Sequence, residues 1–234
     1  IHIPSTILAM VDSSLGGKVA VNLSLGKNMV GAFHQPAMVM SDVSLLKTLP
    51  DHEWKNGLTE ALKHGLIGDK RTIEIFDNND FESIKSERTI QELIKQSVKF
   101  KISVVEQDEK EGGLRAILNF GHTVGHAIES LLEYKGISHG QAVALGILVK
   151  VDVAKRMGWV TAEESNWVKM ILKRYDLIHS VDVSPEAVLE HMQYDKKNTG
   201  GKINFVMIKG IGNPEYNVKL DERIVLESLH EVLK

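Results

Sequence analysis

The chain has 234 residues, 43% of them hydrophobic and 25% charged, and its 28 Lys and Arg against 31 Asp and Glu leave a formal net charge of −3. Such a composition supports a sizeable core in one or two domains and lies outside the range of disordered chains. It excludes a basic stripe for nucleic acid, an apolar run of roughly 18 to 20 residues for a membrane helix, and, with no cysteine, any disulfide, thiolate metal site or thiol nucleophile. Any metal must then be held by imidazole and carboxylate, and the expected location is cytoplasmic.

The chain opens on Ile1, and residues 1–11 (IHIPSTILAMV) read as an internal strand and turn, so the expectation is of a chain continued from something larger. Residues 1–3 and 37–41 are strand candidates, with turns at Gly16-Gly17 and Gly26-Lys27-Asn28 between them, which makes this first stretch mixed α/β. From Leu46 the spacing turns helical. Asp51, after Leu49-Pro50, is placed to cap a helix running through Leu66. Apolar residues three and four apart predict further helices over 71–78, 86–107, 119–134, 139–157, 162–175 and 185–194. A short hairpin is predicted over 203–209 and 215–220, and a closing helix over 222–233.

The densest polar cluster runs from Asn119 through Gly121, His122, Gly125 and His126, with His139-Gly140 beyond it. On a helix His122 and His126 project from one face a turn apart, a spacing that lets two imidazoles reach one metal ion; the plainer reading is a pair with no joint role. Gly121 and Gly125 each cost roughly 1 kcal/mol relative to Ala within a helix, which argues that something approaches the backbone there. Glu60 and Lys63 share a helix face, and the ordinary reading of such a pair is a solvated ion pair. The loop Asp12-Ser13-Ser14-Leu15-Gly16-Gly17-Lys18, with Lys27-Asn28 after it, has the glycines and lysine of a phosphate cradle without the Walker spacing. Lys101, Arg115 and Asp195-Lys196-Lys197-Asn198 are each a solvated charge when taken alone. Together, near a metal, they suit an anionic substrate.

Seven stretches carry a wider pattern: PSTILAMVDSSLGGK (4–18), GKNMVGAFHQP (26–36), LKTLP (46–50), GLTEALKHGLI (57–67), DEKEGGLRAILNFGHTVGHAIE (108–129), SHGQAVALG (138–146) and DKKN (195–198). In this order they resemble the 3-dehydroquinate synthases of the shikimate pathway. The resemblance implies a mostly α chain, with a helical metal- and substrate-binding domain over 49–234. Before it, residues 1–48 would be the remainder of a Rossmann-like α/β domain that binds NAD. The implied activity is a lyase that converts 3-deoxy-D-arabino-heptulosonate 7-phosphate to 3-dehydroquinate and phosphate for aromatic amino acid biosynthesis. It would do so through transient oxidation by NAD, phosphate elimination, reduction and aldol closure.

The same resemblance implies NAD and zinc as cofactors, with cobalt as an alternative metal, an anionic sugar phosphate as substrate, and a homodimer. It puts the metal on Glu60, His122 and His139 rather than on the His122–His126 pair, leaving open positions at the ion. His126 and Glu111 become proton-transfer residues, with Lys18 and Lys63 also catalytic. Substrate contacts fall on Lys18, Asn28, Asn56, Lys63, Lys101, Arg115, Asn119, His126 and one of Lys196 and Lys197. Ser5, Thr6, Asp12, Lys27 and Leu45-Leu46-Lys47-Thr48 would lie beside NAD.

The chain departs from the family pattern at two of these places. Ser5 stands where the family has Thr and keeps a hydroxyl, whereas Gln141 stands where the family has Glu. The second change removes a charge beside His139 and is expected to alter the orientation of that imidazole. A related cyclase such as a 2-deoxy-scyllo-inosose synthase is the nearest rival, but its glucose 6-phosphate lacks the carboxylate that Lys101, Arg115 and 195–197 would meet. An inactive metal-binding domain is the rival from another class, and inactivity is the expectation for this chain alone.

Overall fold

The computed structural model describes residues 1–23, 26–198 and 204–233, with the side chains of 22–29 and 194–198 outside that description. Helix dominates, as the periodicity predicts: α1 (Asp51–Leu66), α2 (Lys70–Asp77), α3 (Glu87–Gln107), α4 (His122–Leu131), α5 (His139–Arg156), α6 (Ala162–Arg174), α7 (Pro185–Asn198) and α8 (Glu222–Val232). None among the described residues is long and apolar enough to cross a membrane.

Helix α5 is the axis of the fold. Its run from Ala142 to Ala154 is buried on every side, which is how a helix apolar all round must sit. It packs against α1, α4, α6 and α8. Two polar residues interrupt it: Asp152 accepts from Arg156 Nε at 2.7 Å, and the Lys150 ammonium stands 3.5 Å from the centre of the Phe205 ring. Ser138 and Gln141 close a capping box at its start, as Thr161 and Glu164 do for α6.

Helix starts differ from expectation in two places. Pro50, not Asp51, stands at the N-cap of α1, so Asp51 becomes the first helical residue and its carboxylate meets Lys85 Nζ at 2.9 Å. The predicted helix over 119–134 is divided, because residues Leu114–Asn119 form a 3-10 helix and Gly121 adopts the left-handed region, φ +82°, as the N-cap of α4. Gly121 therefore lies outside the helix whose interior it was expected to weaken.

The sheets are small. Strands β1 (Lys18–Leu23) and β2 (Gly26–Phe33) pair antiparallel, with Lys18 opposite Phe33 and Val21 opposite Val30. The expected turn at Gly26-Lys27-Asn28 is thus part of a strand. The strands expected at 1–3 and 37–41 reduce to one parallel bridge, His2 with Val39, held by His2 N donating to the Met38 carbonyl and Met40 N to the His2 carbonyl. Strands β3 (Phe205–Ile208) and β4 (Pro214–Val218) form the predicted second hairpin. A π-helical turn, Ala9–Ser13, packs on α1 and α3 and carries Asp12 toward the interior.

Candidate active site

Three helices deliver the polar centre. Helix α1 supplies Glu60 from its middle, while His122 and His139 are the first residues of α4 and α5. Gly121 and the Ser138 capping box set those two helix starts, and the imidazoles meet because α4 and α5 cross almost backbone to backbone. A Cβ on Gly146 would overlap the Gly121 carbonyl oxygen, and one on Gly125 would stand 3.0 Å from the Ala142 carbonyl oxygen. These close approaches, rather than a ligand, account for the glycines of the motif.

Glu60 is fully buried and Lys63 is 1% exposed, so the ion pair between Lys63 Nζ and Glu60 Oε2 is an interior one and the solvated-pair reading fails. Glu60 Oε1 has no hydrogen-bond partner among the described residues, yet it stands 3.5 Å from Nε2 of His122 and 3.5 Å from Nε2 of His139. Each imidazole turns its other nitrogen to an acceptor: His122 Nδ1 meets the Phe120 carbonyl at 3.2 Å and His139 Nδ1 meets Glu129 Oε2 at 3.2 Å. Those acceptors suit a ring proton on Nδ1, and both Nε2 atoms face Glu60. A carboxylate oxygen and two imidazole nitrogens facing one point form a donor set that a divalent cation fits.

Burial alone would raise the Glu60 carboxyl, but the Lys63 ammonium and the two imidazoles hold it well below the usual carboxylate range. Burial and the Lys63 charge push His122 down to about 3. Burial also opposes protonation of His139, yet the nearby Glu129 and Glu60 carboxylates outweigh that and push it up to about 9, so a cation entering the centre displaces the Nε2 proton.

From this centre a cleft of about 540 Å³ opens, lined by Asp12, Lys18, Phe33, Lys63, Lys101, Arg115, Asn119, His122, His126 and His139. Lys101 Nζ donates to both the carbonyl and Oδ1 of Asp12. Burial lowers the Lys101 ammonium while Asp12 opposes the shift. Lys18 pairs with Glu111 Oε2 at the rim, and Asn119 Nδ2 donates to Glu111 Oε1 at 2.6 Å. The structure thus brings together Lys18, Lys63, Lys101, Arg115, Asn119, Glu111, His126 and the Glu60–His122–His139 set. His126 is exposed, its ring centre 5.3 Å from that of His122.

Several expected contacts are placed elsewhere. Asn56 does not line the cleft: its Oδ1 accepts from Gly140 N at 2.6 Å and its Nδ2 donates to Glu53, so its amide pins the start of α5. Leu46 is a core residue at 2% exposure, while Leu45, Lys47 and Thr48 are exposed around it and Ser5 is exposed on the N-terminal segment. Thr6 Oγ1 accepts from Ala9 N, and Asp12 faces the cleft cations. Arg115, expected to meet the substrate carboxylate, is 2% exposed and gives one N–H of each outer nitrogen to the Glu109 and Gly16 carbonyls. Gln141 does not touch His139: its Oε1 accepts from Ser138 N at 2.9 Å, and the carboxylate on His139 comes from Glu129. The side chains of Lys27, Asn28, Lys196 and Lys197 lie outside the described residues.

Sequence reasoning passed over Glu129 because its partner is distant in sequence, though Glu129 follows His126 at a helical spacing of three. It also passed over His64, buried with Nδ1 2.5 Å from Ser97 Oγ.

Fold and site together define a sugar-phosphate cyclase-like chain. A crystal structure of 2-deoxy-scyllo-inosose synthase complexed with carbaglucose-6-phosphate, NAD+ and Co2+ superposes with a TM-score of 0.88 at 30% identity, over 99% of this chain and 66% of that one. The fold also matches a 2-epi-5-epi-valiolone synthase from Streptomyces hygroscopicus, TM-score 0.87 at 23% identity, over 98% of this chain and 65% of that one. The chain belongs to the 3-dehydroquinate synthase family: residues 57–198 match the family's C-terminal model and residues 1–56 its N-terminal model. The 3-dehydroquinate synthase of Leptospira interrogans is 42% identical over 99% of this chain and 64% of its own length. That of Alkaliphilus metalliredigens is 44% identical over 91% of this chain and 60% of its own length. The chain therefore spans about two thirds or less of the curated relatives it matches.

Proposed function

We propose that the chain is the metal- and substrate-binding part of a 3-dehydroquinate synthase, a carbon–oxygen lyase that turns 3-deoxy-D-arabino-heptulosonate 7-phosphate into 3-dehydroquinate and phosphate. The observation that carries this reading is the convergence of Glu60 Oε1 with Nε2 of His122 and His139 at one end of a cleft walled by lysines and an arginine. Family membership and the NAD+ and Co2+ named for the inosose synthase complex support it. In this reading residues 1–48 end an NAD-binding domain, 49–234 form the metal- and substrate-binding domain, and the protein works as a cytoplasmic homodimer.

Glu60, His122 and His139 would hold zinc or cobalt, which supplies polarisation of a substrate hydroxyl while NAD supplies the hydride acceptor. The chain's own residues do the rest. Lys63 and Lys101 neutralise the anionic substrate from inside the cleft, where low polarity strengthens each contact. Lys18 meets it at the rim. Glu111, held as an acceptor by Lys18 and Asn119, is oriented to take a proton, and His126 moves one between cleft and solvent.

The first test is elemental analysis of the purified chain beside His139→Ala, with circular dichroism to show that both are helical. About one zinc per chain, absent from the variant, is the expected result; a helical wild type without zinc would overturn the ligand set. The second reading, a cyclase acting on glucose 6-phosphate, is favoured by the carbaglucose-6-phosphate in the 30%-identical neighbour. Phosphate release from the heptulosonate phosphate and from glucose 6-phosphate, measured on the full-length protein, separates the two. The chain alone, given NAD, is expected to release none.

A further inference from the structure

Glu129 is buried, 4% exposed, on α4, and its Oε2 stands 3.2 Å from His139 Nδ1. The helices explain the meeting. His139 opens α5, where the close crossing at Gly121, Gly125 and Gly146 brings the two backbones together. The Glu129 carboxylate is within hydrogen-bond reach of Nδ1, the arrangement that leaves Nε2 as the nitrogen offered to an ion. The opposite nitrogen, Nε2, faces Glu60 Oε1 at 3.5 Å.

We infer that Glu129 is the positioning residue of the metal centre, fixing the tautomer and ring plane of His139 so that Nε2 reaches the ion. This inference rests on the ligand reading given above. It assigns to Glu129 the part that the residue after His139-Gly140 was expected to play, since Gln141 is occupied in capping α5. The same carboxylate lies in a second convergent group, with ligand atoms of His126, Glu129 and His139 all within 4.8 Å of one another. Holding two ions on the two nitrogens of one ring would require removing the Nδ1 proton, which the Glu129 contact retains. Glu129 therefore acts through His139 rather than as a ligand itself.

The test titrates Co2+ into the chain and into Glu129→Gln and Glu129→Ala, reading affinity, stoichiometry and the visible Co2+ spectrum, with His139→Ala as the reference for a lost ligand. One ion per chain, bound 10- to 100-fold more weakly by both variants and with an altered spectrum, is expected. Unchanged affinity and spectrum in both variants would overturn the inference alone. Two ions per wild-type chain, falling to one in the variants, would make Glu129 a ligand and overturn it as well. A wild type that binds no Co2+ would overturn the ligand reading and, with it, this one. Should both variants fail to fold, nitrogen-detected NMR of the zinc-loaded wild type decides: a proton on His139 Nδ1 is expected, and a proton on Nε2 overturns the inference.

Discussion

The carbonyl oxygen of Gly121 lies so close to the α-carbon of Gly146 that a methyl group there would overlap it. Gly121 can present that carbonyl only because it holds φ +82° at the start of α4, directly before His122. Gly146→Ala must push α4 away from α5, carrying one imidazole from the other. The expected cost is about 3 kcal/mol or more, since overpacking against backbone has no side chain to yield. Urea unfolding of the metal-free variant checks it. A midpoint within error of wild type would show that the crossing is loosely packed.

Lys63 and Glu60 form an ion pair with both side chains buried. Lys63→Met leaves the carboxylate uncompensated, and breaking such a pair typically costs about 3–5 kcal/mol. A divalent ion beside Glu60 Oε1 replaces part of the lost charge. Zinc should therefore raise the melting temperature of the metal-free variant more than that of metal-free wild type. Equal shifts in differential scanning calorimetry would mean that the two positive charges do not act on the same carboxylate.

His64 gives the chain a pH-dependent weakness. Burial, with the Lys63 charge second, pushes its imidazole from 6.5 down to about 3. The unfolded chain thus binds a proton that the folded chain refuses between those values, so stability is intact above pH 6.5 and falls as the pH drops toward 3. The loss approaches about 1.4 kcal/mol per pH unit for one such group. Denaturant unfolding at pH 7.5 and 5.0 should show wild type losing about 2 kcal/mol more than His64→Asn, which has nothing to protonate. Parallel losses would assign the acid sensitivity to other groups.

How much of this was legible in the sequence follows from how far each signal reaches. Helix spans were readable from apolar spacing, because helices such as α3 keep one buried stripe over many turns, while α5 shows instead as a long apolar run. The break before α4 was not: Asn119 to His122 is continuous with the pattern, and only the left-handed Gly121 divides it. Motif resemblance named Glu60, His122 and His139, whose convergence depends on three helices meeting. The burial of the Glu60–Lys63 pair stayed hidden because a spacing of three looks the same on a wet face and a dry one. The contacts of Asn56 and Gln141 stayed hidden for a related reason. Both sit beside functional residues in sequence, yet their side chains serve the backbone at the start of α5.

Arg115 joins two loops that frame the cleft. Its outer nitrogens donate to the Glu109 carbonyl and, at 2.7 Å, to the Gly16 carbonyl, and a Cβ on Gly16 would stand 2.7 Å from Nη2. The Asp108 carboxylate organises the same region by accepting from Gly112 N, Gly113 N and Arg115 N at 2.8 to 2.9 Å. A lysine has one nitrogen where the guanidinium has three, and it cannot span both carbonyls in one plane. Arg115→Lys should lose one of these two charge-assisted bonds, at a cost of about 1–3 kcal/mol. Because Lys18 follows Gly16 by two residues, its contact with Glu111 should loosen as well. Hydrogen exchange reads both effects: faster amide exchange is expected at Gly17 and Lys18, and at Glu111 and Gly112. Unchanged exchange with a weakened grip on the anionic substrate would instead assign Arg115 to the ligand rather than to the loops.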